Sequence, residues 1–94
     1  MGRTVKLVIK TGTTVESTIW ENEFDGPAML ELARTKGYFA GVVAAWWGWT
    51  ATELAKELEG IESLGLSNQE FISALVNLRV ACETYDLCTI KTYL

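Results

Sequence analysis

The run Gly37-Tyr38-Phe39-Ala40-Gly41-Val42-Val43-Ala44-Ala45-Trp46-Trp47-Gly48-Trp49 constrains this chain more than any other stretch. The chain is uncharged from Gly37 to Thr52, and this run carries three of its four tryptophans. The apolar heart, Tyr38 to Trp49, is 12 residues long, against the ~20 needed to cross a bilayer. A helix over Tyr38 to Trp47 puts Phe39, Val42, Val43 and Trp46 on one face. Gly37, Gly41, Ala45 and Gly48 then form a small-residue track, along which a neighbouring backbone could approach closely. Ala40, Ala44 and Trp47 fill much of what remains. A helix apolar all round is either central in its fold or covered by something else. In a chain of 94 residues every side of such a rod is hard to hide. The expected interface, with a partner or a second copy, is therefore Tyr38, Phe39, Gly41, Trp46, Trp47 and Trp49, because Trp and Tyr are favoured anchors. A wholly internal core helix is the competing reading, and a ring-stacking ligand pocket is the third.

The flanking segments predict the layers around it. Val5, Leu7 and Ile9 alternate with Lys6, Val8 and Lys10, the period of a half-buried strand. A turn at Thr11-Gly12-Thr13 and a second alternating run, Thr14 to Trp20, complete a hairpin. Its expected register pairs Ile9 with Val15, Leu7 with Ser17 and Val5 with Ile19. Asp25-Gly26-Pro27 opens a helix carrying Met29, Leu30, Leu32 and Ala33, with Asp25 or Gly26 as cap and Pro27 in the first turn. Gly37 either stops this helix or merely weakens it. Thr50-Ala51-Thr52-Glu53 has capping-box spacing, and Ser67-Asn68-Gln69-Glu70 repeats it, starting helices with Leu54, Leu58 and Ile61 and with Phe71, Ile72, Leu75, Leu78, Val80 and Cys82. Residues 88 to 92 alternate again as a closing strand. The expectation is one α+β domain over residues 1–94. Its N-terminal hairpin and C-terminal strand make a small antiparallel sheet packed against three to four helices.

Chemistry is sparse. There is no histidine, which removes the commonest general base and the commonest zinc ligand. Glu21-Asn22-Glu23-Phe24-Asp25-Gly26 superficially follows the opening of a calcium loop, but its twelfth position is Leu32 instead of a bidentate glutamate. A solvated loop feeding a helix is the better reading. Cys82 and Cys88 are not a CxxC pair and read as two buried, reduced thiols, with a local disulfide as the alternative. Glycine-rich phosphate cradles are absent. No catalytic set emerges, so the chain is expected not to be an enzyme, with no metal and no cofactor.

Charge is localised. The formal net charge is −4, and residues 53–70 account for all of it, with Glu53, Glu57, Glu59, Glu62 and Glu70 against Lys56 alone. Such a balance disfavours gripping nucleic acid, which needs clustered Lys and Arg. Glu53, Glu57, Glu59 and Glu62 are the candidate acidic surface for a basic partner. The expected function is a small, cytoplasmic, non-catalytic protein-interaction module. It would act as a homo-oligomer or on a larger partner, as an inhibitor or adaptor of the type carried by phages and other mobile elements. The alternative is a nucleotide-like ligand stacked on tryptophan, with Arg3, Arg34, Lys36 or Arg79 against its anionic group. An uncharacterised enzyme comes third.

Overall fold

The alternation of apolar residues does build a hairpin, but its second strand runs further than expected. The computed structural model describes residues 2–12 and 14–94. Strand β1 (Gly2–Thr11) pairs antiparallel with β2 (Val15–Asp25), and Thr13 of the expected turn lies outside the described residues. The register is not the expected one. Thr11 faces Val15, Ile9 faces Ser17 and Val8 faces Thr18, whereas Leu7 faces Trp20 and Val5 faces Asn22. Ile19 is therefore an extra residue, a bulge between Leu7 and Val8 that reverses which side chains of β2 point inward. The reason lies in the residues beyond it. Unbulged, the strand would turn Glu21 and Glu23 toward the core. With the bulge, Trp20 and Phe24 join Val5 and Leu7 there, and Phe24 is 2% exposed. The Glu21–Asp25 segment, expected as a loop, is thus strand.

Strand β3 (Thr89–Tyr93) pairs antiparallel with β1, giving the order β2-β1-β3. Together with the four α-helices of the described residues this is a small α+β fold, as expected. Helix α1 (Gly26–Lys36) starts directly after β2, with the Asp25 carboxylate accepting from the Ala28 N–H at 2.9 Å and Pro27 in the first turn. Gly37 stops it. Left-handed at φ 78°, it lets the Tyr38 N–H reach back to the Ala33 carbonyl at 2.8 Å.

The continuous helix expected over Tyr38–Trp47 does not form. Helix α2 is only Gly41–Trp46. A turn precedes it, closed by the Gly41 N–H on the Tyr38 carbonyl at 3.0 Å, with Gly41 itself at φ 90°. A side chain at Gly37, Gly41 or Gly48 would meet nothing within 4 Å. These glycines serve backbone conformation, and the expected small-residue packing track is absent. After Gly48 the chain runs along the outer edge of β3. The Gly48 N–H donates to the Ile90 carbonyl at 2.9 Å, the Ile90 N–H to the Trp49 carbonyl at 2.7 Å, and the Ala51 N–H to the Cys88 carbonyl at 2.9 Å.

Helix α3 (Ala51–Glu57) begins with the expected capping box. Thr50 Oγ1 accepts from the Glu53 N–H, and the Glu53 carboxylate accepts from the Thr50 N–H. A single 3₁₀ turn (Ile61–Ser63) leads on to helix α4 (Gln69–Thr84). Here the cap is Asn68, one residue later than expected, its side chain accepting from the Phe71 N–H at 3.0 Å. Ser67 instead donates from its hydroxyl to the Glu31 carboxylate of α1 at 3.1 Å. The helices cover one sheet face. Phe24 meets Phe71 edge-on with centroids 6.2 Å apart, and buried Thr92 donates to the Val43 carbonyl at 2.6 Å. Cys82 and Cys88 are both free and buried, and burial pushes the Cys82 thiol up to about 12.

The caps make a sharp comparison. Thr50→Ala and Asn68→Ala should each lower stability by about 0.5–2 kcal/mol, seen as an earlier urea midpoint with unchanged slope. Ser67→Ala, which removes only an exposed side-chain contact, should cost less than either.

Candidate functional site

The six residues expected to form one interface separate into three environments. Trp46 has no exposed surface and is a core residue, packed with Leu7, Leu32 and Leu54 in the same cluster. Its buried indole N–H donates to the Tyr38 hydroxyl at 3.3 Å, and that hydroxyl donates to the Glu57 carboxylate. Lys36 completes the group. Its ammonium donates to the Glu57 carbonyl at 2.9 Å and stands 3.8 Å from the same carboxylate. Burial, followed by the hydrogen bond to Glu57, holds the Tyr38 phenol well above its ordinary value. It is therefore a neutral donor at physiological pH. The network ties the end of α1, the turn before α2 and the end of α3 together.

That tie leaves Phe39 outward. Tyr38 points into the fold, and the next side chain, on a turn, is fully exposed at 107% of its reference area. Leu30 of α1, half exposed, lies between two shallow hollows. Phe39 and Arg34 line one of them, and Leu94 and Arg3 the other. Among the described residues no acidic side chain lines either hollow. The surface is thus apolar with two arginines at its margin. From the sequence, Leu30 is expected only as an apolar residue of this helix and Arg3 and Arg34 only as cations for an anionic ligand, and Leu94 is not singled out. A signal existed for Leu30: the buried residues of α1 are Ala28, Met29, Leu32 and Ala33, and Leu30 falls off that stripe.

Trp47 and Trp49 belong elsewhere. Trp47, half exposed, meets Tyr93 edge-on at 5.8 Å, and the Lys91 ammonium sits 4.5 Å from its ring centre. One face of that ring is thereby taken. Trp49 is partly buried against the core beside the β3 edge. Of the cations considered for an anionic ligand, Lys36 is held by Glu57 and Arg79 by Glu62.

The acidic surface is similarly committed to the fold. Glu53 closes the capping box, whose hydrogen bonds from Thr50 hold its carboxyl below the usual range. Glu57 serves Tyr38 and Lys36. Glu62 receives both arms of Arg79, at 2.9 and 3.0 Å. Those bonds pull its carboxyl down to about 2. Glu59 is exposed. Among the described residues no group of three or more Cys, Asp or Glu is arranged to hold a metal ion, and no helix is long and apolar enough to cross a membrane.

Two outcomes follow for these groups. Tyr38→Phe strands the buried Trp46 N–H and should lower stability by about 1–3 kcal/mol in urea unfolding. The Glu62 carboxyl signal in an NMR titration should have its midpoint near pH 2, rising toward 4.5 in Arg79→Ala. The pair's contribution to stability is present above the unfolded-state value and is lost as pH falls through about 2. In comparisons with protein-family models, curated proteins and solved structures, nothing matches this chain.

Proposed function

We propose that this chain is a small, non-catalytic protein-interaction module whose contact surface is the apolar patch of Phe39, Leu30 and Leu94. The observation that carries the reading is the exposure of Phe39. A phenylalanine held wholly outside its own fold, on a turn fixed from behind by the Tyr38–Glu57–Trp46 hydrogen bonds, forgoes the ~1.5–3 kcal/mol that burial of such a side chain supplies. A partner recovers that energy. Because the turn is anchored, little ordering entropy opposes binding. Large exposed apolar groups clustered with polar margins are the usual form of a protein-binding surface.

Charge selects the partner's chemistry. Arg3 and Arg34 flank the patch, and two copies meeting face to face would bring the same arginines together. The fitting partner presents an apolar pocket with carboxylates around it, and the module acts on it as an inhibitor or adaptor. A homo-oligomer through this face is disfavoured by the same charges. The expectation of one basic partner docked on α3 loses support, since three of its four glutamates are engaged by Thr50, Tyr38 and Arg79.

A photoreactive residue at position 39 tests the reading in extract of the protein's source. The expected result is a single protein adduct, whose unmodified complex is lost in Phe39→Asp while the thermal melt of the variant stays near wild type. Unchanged complex formation by Phe39→Asp would overturn it. So would an adduct formed equally from a probe at Val80, an exposed position on α4.

A further inference from the structure

The two edges of the sheet are treated differently, and the difference points to a second surface. The edge at β3 is closed by the chain itself, through the hydrogen bonds of Gly48, Trp49 and Ala51. The edge at β2 carries no strand, because β2 is the outer member of β2-β1-β3. The Glu23 N–H illustrates the result. Its bond goes to the neighbouring Asn22 side chain at 3.0 Å, so it points away from β1. By strand alternation the Glu21 N–H lies on the same side. Of the eleven residues of β2 only Phe24 is buried, and Val15 and Ile19 are 57% and 42% exposed.

Charge then discriminates among occupants. Strand β2 carries Glu16, Glu21, Glu23 and Asp25 and has no Lys or Arg. Asp25 is committed to the cap of α1, and Glu21 stands 3.7 Å from Lys6. Glu16 and Glu23 make no ion pair among the described residues. A second copy of β2 laid along this edge would set carboxylate against carboxylate, which is destabilising across paired strands. A strand bearing lysine or arginine at alternate positions meets the opposite charge.

We infer that the free edge of β2 is a docking site for an extended, lysine- or arginine-rich segment of a protein partner, which adds to the sheet as a fourth strand beside β2. Main-chain hydrogen bonds to the outward groups of Glu21 and Glu23 supply affinity. The carboxylates select a basic strand, and Val15 and Ile19 offer apolar contact to its intervening residues. The site is separate from the Phe39 patch and opposite to it in charge.

The probe is a synthetic seven-residue peptide alternating lysine with threonine and valine, with a glutamate-for-lysine version as control. It is added to the 94-residue chain at low salt and followed by amide NMR. The expected result is binding that weakens as salt rises, with the Glu21 and Glu23 amides gaining at least about tenfold protection from hydrogen exchange. The triple variant Glu16→Gln, Glu21→Gln, Glu23→Gln should bind at least about tenfold more weakly, and the acidic peptide should not bind. Phe39→Asp should bind the basic peptide like wild type, so failure here and failure of the Phe39 reading are told apart. The exchange measurement needs no variant. Absence of protection on β2, shifts confined to the glutamates of α3, equal binding by the triple variant, or dimerisation of the free protein through β2 would each overturn the proposal.

Discussion

The reversal of side-chain parity at Ile19 is the constraint on which the arrangement depends. Strand β1 offers Val5 and Leu7 to the interior, and the end of β2 that leads into α1 must keep its carboxylates off that face and answer with apolar residues. Its sequence cannot do so in a single phase. A regular strand matching the tip of the hairpin would carry Glu21 and Glu23 inward, and burying unpaired carboxylates costs several kcal/mol each. One bulged residue exchanges them for Trp20 and Phe24. Phe24 then reaches Phe71 and couples the sheet to α4, and the next residue, Asp25, is already the cap of α1. The start of the first helix, the docking of the longest one and the inward face of the sheet are thereby fixed by a single inserted position.

A second economy concerns charge. The segment 53–70 holds the whole net charge of the chain, yet its glutamates are mostly structural parts. Glu53 completes a cap, Glu57 receives a tyrosine hydroxyl and a lysine, and Glu62 receives an arginine fork. Arg79 also donates to the Leu58 carbonyl at 3.1 Å, so the same guanidinium secures the loop after α3. Solvent-exposed pairs of this kind add little stability individually. Their value here is positional: they hold short elements, one of six residues and one of seven, against a core those elements could not reach by length alone.

Much of this was legible in the chain, and the misreadings have physical causes. Capping chemistry is local, so Thr50 could be read directly, the first cap could be narrowed to Asp25 or Gly26, and Gly37 stood as a stop or a weak point, while alternating apolar residues gave the hairpin and the closing strand. At Ser67-Asn68 two competent caps are adjacent, and the choice between them depends on Glu31, which is distant in sequence. The bulge is not legible in the alternation from Thr14 to Trp20, because the energy that selects it resides in Glu21, Glu23 and Phe24. The tryptophan-rich run was misread for a related reason. Periodicity treats glycine as a small side chain, whereas Gly41 acts through positive φ and breaks the Tyr38–Trp47 rod into a turn and a short helix, and Gly48, also at positive φ, leads into the segment that lines the β3 edge. Once broken, the run sends Trp46 inward, Phe39 outward and Trp47 to the sheet.

The hydrogen bonds that Gly48, Trp49 and Ala51 make along β3 also govern what the domain can become at high concentration. A fibril grows because every added sheet offers a fresh edge to the next, so propagation needs two competent sides on each unit. Here one side is permanently occupied. Folded copies of this chain have only the β2 edge through which to pair with one another, so edge pairing among them goes no further than two. A chain that is 49% hydrophobic thus has a built-in chain terminator against β-polymerisation, provided by the segment whose composition would otherwise make it the chief aggregation hazard.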